Sequence, residues 1–283
     1  MNGPPFRVAI MCGEPADIAR TFLERNAPAL RESGVEVAVL VIDQEGDRAE
    51  APVRHLWRLG RRQARIAGTS TVVGVLKLLV YRTVIAWGPS PRIPEPAPIP
   101  TDVRVVRSRT LNAPTAVTAV QEAKCDLVCL MGARILTRKT LQALAVPIVN
   151  IHSSDPRWVR GGPVVVWEVL DGRPAITLVV HEVIEALDAG KMFAQGSQRL
   201  LYEGGLGATT EATMAAARPC VGDLFETVIR AFQAGSAVGI PFVPGELRVT
   251  PRIRETLCAE LLCRARSRRR RQRLAREQPP AST

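Results

Sequence analysis

Only 4% of the residues are aromatic, too few for the stacking surfaces on which proteins hold single-stranded nucleic acid. The six cysteines (Cys12, Cys125, Cys129, Cys220, Cys258 and Cys263) include no Cys-x-x-Cys pair, which removes the zinc-ribbon and thioredoxin-type readings. Three of them stand in apolar runs, so buried, reduced thiols in a reducing cytoplasm are expected. Gly13 closes an apolar run, but no Gly-x-Gly-x-x-Gly follows, so the dinucleotide fingerprint is missing. Residues 1–7 lack the basic segment and apolar core of a secretory signal. The run at 72–87 is interrupted by Lys77 and Arg82 and is too short for a comfortable bilayer span. Acid is scarce at the end of the chain: residues 264–276 hold eight arginines and none, so most of the net charge of +11 is local to that stretch.

With 283 residues, 46% of them hydrophobic, the chain is long enough for one large or two modest domains with a real core. Residues 6–12 and 35–42 read as strands, the second a continuous β-branched run of the kind buried on both faces. Apolar residues at helical spacing over 18–31 lie between them. This β-α-β opening predicts an α/β fold, a Rossmann-like, mostly parallel sheet flanked by helices, with ligands beyond the carboxyl ends of the strands. Further strands are predicted at 103–106, 126–132 and 196–201. Helices are predicted at 115–124, 140–144 and 209–233, the last kinked or broken at Pro219, and at 251–276, with disorder over 278–283.

Between the second and third strands the character changes. Arg54, Arg58, Arg61, Arg62 and Arg65 fall on one side of a helix, the apolar run at 72–87 follows, and residues 88–100 hold six prolines, a stiff extended linker. Two readings stand for residues 53–87: a helix pair on an anionic membrane surface, or a helical insertion that packs on the domain with its basic face in water.

Polar groups collect at strand ends after residue 146. Asn150 and His152 follow an apolar run and, two apart on an extended chain, share a face, where a later loop can bring a carboxylate. A Gly-Gly-Pro turn comes at 161–163, and a second apolar run leads to His181 and then Asp188-Ala189-Gly190. The strings VNIHSSDPRWVRGGP (149–163) and HEVIEALDAGKM (181–192) resemble the folate-dependent formyltransferases, the family of glycinamide ribonucleotide, methionyl-tRNA and sugar N-formyltransferases. Carrying the likeness are an Asn-x-His pair, an Arg-Gly step, and an Asp thirty-six residues after the His and two before a Gly. Departures from the family pattern are the proline of the first string, one place early at Pro156, and Thr177 and Val179 where a Gly and a Thr usually precede the second His.

The resemblance covers residues 6–235 more weakly and implies a formyltransferase fold. The corresponding division is a catalytic domain at 1–240, with a helical, Pro-rich insertion at 47–100, and a C-terminal extension at 241–283 ending in the Arg-rich tail. It implies 10-formyltetrahydrofolate as formyl donor, no metal, and Asn150, His152 and Asp188 as the catalytic trio. Met131, Gly132, Ile135, His181 and Gly190 are implied at the folate pocket, with Arg160 and Gly161 on the acceptor side. Met131 and Ile135 also suit core packing, Arg160 a surface charge, and His181 a core or loop position. Formyl transfer to an amine places negative charge on oxygen, which an amide and an imidazolium can stabilise by roughly 3 kcal/mol per donor. Asp188 would favour that imidazolium and draw the amine's proton through a water. Ser153 and Ser154 lie in no Gly-x-Ser-x-Gly elbow, which speaks against a serine nucleophile.

The residues after Pro241 are too few for the second domain of the tRNA enzymes, so the implied acceptor is the amine of an amino-sugar or sugar nucleotide, lipid-linked if the basic helix meets membrane. Glycinamide ribonucleotide stays open. Expected partners are that small-molecule amine and an anionic membrane contacted peripherally at its inner face by a cytoplasmic protein. The rival reading is an inactive formyltransferase-fold protein attached to nucleic acid or acidic lipid through its arginines.

Overall fold

The computed structural model describes residues 4–44, 52–87 and 91–277. The loop expected at 43–52, the start of the Pro-rich linker and the terminal residues 278–283 lie wholly or partly outside them.

β-Branched runs stiffen the chain into strands that need cover on both faces. β1 (Phe6–Gly13) and β2 (Val35–Asp43) pair in parallel from Phe6–Val35 to Gly13–Asp43. β3 (Val105–Ser108), β4 (Leu127–Met131) and β5 (Ile148–His152) extend the parallel block. A short β6 (Val159–Gly161) leaves the sheet, and β7 (Ala175–Glu182) and β8 (Met192–Arg199) complete it antiparallel. The resulting order is β3-β2-β1-β4-β5-β7-β8, a seven-stranded, mostly parallel sheet.

Alternating side chains divide between two apolar layers. Val8, Ile10, Cys129 and Val149 face α1 (Asp17–Arg25), α2 (Ala27–Glu32) and α8 (Leu206–Gln233); Ala9, Met11, Val128 and Leu130 face α5 (Pro114–Glu122) and α6 (Arg138–Leu144). The single helix expected at 18–31 is thus two. Asn26 interrupts it because its buried amide donates to Asp223 Oδ1 (3.3 Å) and Glu226 Oε2 (2.9 Å) on α8, and Pro28 suits the second position of the new helix. Pro219 does not break α8, which runs 28 residues without interruption, held along its length by α1 and β8.

Burial pushes the Cys12 thiol up to about 12 and those of Cys125 and Cys263 to about 11, so they are inert hydrophobes. Cys258 is the exposed exception.

The C-terminal segment is built into the domain. β9 (Glu246–Arg248) pairs with β6, and α9 (Ile253–Glu277) buries Ala259 and Cys263 against the core. Its buried Glu260 also supplies what α8 lacks. Gly205, at the helix's N-cap, has no side chain to offer, and the Leu206 N–H donates instead to Glu260 Oε2 at 2.6 Å. A Cβ at Gly205 would sit 2.5 Å from Glu260 Oε1, so glycine makes this approach possible. Glu260→Ala is expected to lower stability by about 2 kcal/mol through loss of a charged cap to a helix N-terminus. Thermal unfolding checks this, and an unchanged Tm would refute the capping role.

Candidate functional site

Asn150 and His152 project from β5 on the face of the sheet that α5 and α6 cover elsewhere, since Val149 and Ile151 belong to the opposite layer. Antiparallel pairing sets His181 of β7 directly across from Asn150, so three polar side chains share one patch. The loop after β7 then doubles back: the Glu182 N–H donates to the Lys191 carbonyl (2.8 Å), and a Cβ at Gly190 would lie 2.1 Å from the Glu182 carbonyl oxygen. This closure throws Asp188, at a left-handed φ of 47°, over the patch. Aspartate tolerates that conformation better than bulkier residues.

The Asp188 carboxylate is gripped from three sides. Oδ2 accepts the Gly161 N–H at 3.0 Å and lies 3.7 Å from His152 Nδ1; Oδ1 lies 3.6 Å from His181 Nε2. Burial opposes its charge, but the His181 and His152 rings and the Gly161 amide outweigh that and hold the carboxyl below its ordinary 3.8. Arg160 reaches the same loop from behind: its Nε donates to the Gly245 carbonyl (2.9 Å) and its Nη1 to the Leu187 carbonyl (3.1 Å). The Arg-Gly step therefore fixes the carboxylate, with Arg160 engaged on backbone oxygens and not presented to an acceptor.

His181 Nδ1 sits 2.8 Å from the Glu182 carbonyl oxygen, which can only accept, so Nδ1 carries the proton. The ring's Nε2 lies between the Asn150 amide nitrogen at 3.3 Å and Asp188 Oδ1 at 3.6 Å. That contact holds the Asn150 amide in place at the cleft. His181 is almost fully buried and orients its neighbour.

His152 departs from the imidazolium expected. Desolvation lowers its pKa below 6.5, with His181 adding to the effect, and the Asp188 charge and a backbone hydrogen bond to Val159 do not make up the difference. The resting ring is neutral. Its Nδ1 faces Asp188, while Nε2 is buried with no hydrogen-bond partner among the described residues. A buried nitrogen without a partner can take up a proton from a group that reaches it.

The cleft above these groups has a volume of about 650 Å³. Gly132, Ile135, Asn150, His152, Gly161, His181 and Asp188 all line it, with Leu136, Val183, Ile184 and Leu187 as apolar walls. Met131 does not line this cleft: its side chain is buried in the layer packed on α1 and α8, on the other face of β4, where it borders a second cleft. Gly190 does not line it either, since it packs on Glu182 and shapes the loop rather than the wall. Ser154 is buried and donates to Glu168 Oε1 (3.0 Å), which occupies its hydroxyl.

Two contributions were not legible as motifs. Leu59 comes from α3 (Pro52–Ala67) in the insertion, and Leu247, Arg248 and Val249 come from β9 and the residue after it. All are ordinary residues brought there by packing at long range. The second cleft, of about 490 Å³ and running along Gly13, Glu14, Asp17, Glu211 and Arg218, shares the lining residue Gly132 with the first. Among the described residues no cluster of His, Cys, Asp and Glu could hold a metal ion.

Residues 82–217 match the family model described as formyl transferase. The chain is 27% identical over 154 residues to the methionyl-tRNA formyltransferase of Lacticaseibacillus casei (strain BL23), a match covering 54% of this chain and 47% of that protein. It thus spans about half the length of the curated relatives it matches. In fold it is similar to glycinamide ribonucleotide transformylase 1 from Symbiobacterium toebii, with a TM-score of 0.52 at 19% identity over 86% of this chain and 96% of that one. A sugar N-formyltransferase from Shewanella sp FDAARGOS_354 shares the fold with a TM-score of 0.50 at 10% identity, over 86% and 76% of the respective chains.

Proposed function

Because residues 82–217 match the family model described as formyl transferase, we propose that the protein transfers a formyl group from 10-formyltetrahydrofolate to the primary amine of an amino-sugar or sugar nucleotide. The observation that supports this reading is the meeting of the Asn150 amide, the unpartnered Nε2 of His152 and the clamped Asp188 carboxylate in one cleft.

The donor suits the cleft. About 650 Å³ with apolar walls and a few convergent polar groups is the usual character of a site for a flat heterocycle, and the orphaned Nε2 marks where its reacting end belongs. Ile135, Leu136, Val183 and Ile184 would hold the ring system, with Gly132 allowing close backbone approach. When bound, the donor supplies an electrophilic formyl carbon. The Asn150 amide can stabilise the negative charge that develops on the formyl oxygen, and His181 keeps that amide aimed. His152 Nε2 can accept the proton lost by the attacking amine. While the tetrahedral adduct stands, the ring is cationic 3.7 Å from Asp188, so the carboxylate's benefit rises as the reaction proceeds; the proton can then pass to the folate nitrogen as its bond to the formyl carbon breaks and tetrahydrofolate leaves.

The acceptor would sit in the second cleft, which shares Gly132 with the first. Of the carboxylates in this second cleft, Glu14, Asp17 and Glu95 are paired with Arg107, Arg218 and Arg20, so Glu211 is the one that would meet an amine-bearing, hydroxyl-rich molecule. The test is the purified protein with 10-formyltetrahydrofolate and four amines: a free amino-sugar, its nucleotide-linked form, glycinamide ribonucleotide and initiator methionyl-tRNA. An amino-sugar product heavier by one formyl group is expected. Formylation of methionyl-tRNA or glycinamide ribonucleotide alone would move the acceptor, and no product with any amine would leave a binding protein in place of an enzyme.

A further inference from the structure

We propose that the hairpin of α3 and α4 (Thr71–Ile85) docks the protein on an anionic lipid surface. This interaction is separate from the formyl-transfer reading, and either can fail without the other.

The two helices cross closely at glycine. A Cβ on Gly74 would lie 2.3 Å from the Gly60 carbonyl oxygen, and one on Gly60 2.3 Å from Val75 Cγ2. With Gly74, Leu78 and Val84 turned inward, α4 shows solvent an apolar stripe at helical spacing: Val72, Leu76, Leu79 and, just past its end, Trp87. Val72 is 64% exposed, Leu76 49% and Leu79 44%, and Trp57 of α3 stands out at 45%. Large apolar side chains are exposed elsewhere too, Val243 and Leu261 among them, but here they line one face of a single helix as a continuous stripe.

Charge decides what covers it. Residues 52–87 contain six arginines and one lysine and no aspartate or glutamate. Arg58, Arg61 and Arg65 are exposed on α3, one turn apart, and Arg82 flanks the stripe on α4. Arg264 of α9 stands over the Trp87 ring at 5.2 Å, so the basic helix joins the patch at its edge. An apolar stripe bordered by cations and tryptophans is the pattern of a helix lying in a bilayer interface, with arginines at anionic headgroups. A nucleic acid would meet the arginines but leave the leucines in water. No described helix is long and apolar enough to cross a membrane; at roughly 22 Å, α4 is too short for the hydrocarbon core. It fits in the plane of the surface. Leu59 lines the catalytic cleft from the same hairpin, so docking would hold the cleft near lipid.

The experiment is flotation of the full-length protein with phosphatidylcholine vesicles, with and without about 30% phosphatidylglycerol. Binding is expected to the anionic vesicles, and about tenfold less to neutral ones. Leu76→Gln with Leu79→Gln, and separately Arg61→Gln with Arg65→Gln, should each cut the bound fraction about tenfold with helicity and Tm unchanged, because these side chains are exposed. Arg268→Gln with Arg269→Gln on α9 should leave most of the binding. Absence of flotation, binding indifferent to the hairpin variants, or loss only with the α9 variant would overturn the proposal. So would a dimer in lipid-free solution that Leu76→Gln with Leu79→Gln dissociates while the protein ignores vesicles, since a second copy would then be the partner.

Discussion

Replacing His152 by alanine is expected to lower kcat/KM for formyl transfer by roughly a thousandfold, the scale of a lost proton acceptor in a dry site. Asp188→Asn keeps the size and one oxygen for the Gly161 N–H, yet removes the charge that faces the His152 ring as it protonates. Its loss should fall on kcat more than on KM. The pH profile separates this mechanism from one that needs a resting imidazolium. Burial lowers the His152 pKa below 6.5, so the neutral, proton-accepting ring persists above that pH, and activity should decline only as pH falls below it. Stability carries the same sign: His152 protonates in the unfolded chain near 6.5 and in the folded one only lower, so its contribution is present above that pH and is lost as pH falls. Asp188, held below 3.8, stays ionised across this window. Kinetics of both variants and the wild type over pH 5–9 form the test, with the window chosen to span roughly two units either side of a His pKa. Activity that climbs as pH drops through 6.5 would sink the neutral-base role.

The second large effect is expected at Gly161, where fold and chemistry share one backbone amide. Its φ is 83°, and a Cβ there would lie 2.6 Å from the Arg248 carbonyl oxygen across the β6–β9 pair. Gly161→Val adds a β-branched side chain in a left-handed conformation and pushes β9 away, for a loss of about 3 kcal/mol. The N–H held by Asp188 Oδ2 moves with it, so activity should fall by about a hundredfold or more, as for a misplaced catalytic group. Gly162→Ala is the control, because nothing lies within 4 Å of a Cβ at that position. Equal behaviour of the two variants in thermal melts and turnover would show that Gly161 clamps nothing.

How much of this was legible beforehand differs from residue to residue. The β-α-β opening followed from β-branched runs separated by a helical stripe, and β1, β2 and β4 lie where those runs do. The common face of Asn150 and His152 followed from a spacing of two on an extended strand. Less could be read of the helix breaks. Asn26 ends α1 because its partners, Asp223 and Glu226, arrive from α8, and Pro219 is absorbed by a helix supported from both sides. Residues 241–277 look like a basic appendage by composition, yet Glu260 caps α8 and β9 forms part of the cleft wall. Met131 and Ile135 show the limit in one strand and its exit: both are apolar, but strand parity turns Met131 into the core while Ile135 emerges at the cleft.

The sequence by itself determined the parallel core and the types and spacing of Asn150, His152 and Asp188, because alternation along a strand and separation along a chain are local properties. Tertiary structure alone decided that Arg160 and Gly161 hold the carboxylate, that His181 aims the amide, and that His152 rests neutral. Those depend on backbone groups and desolvation supplied by distant segments, and a residue carries no mark of how much water its surroundings will leave it.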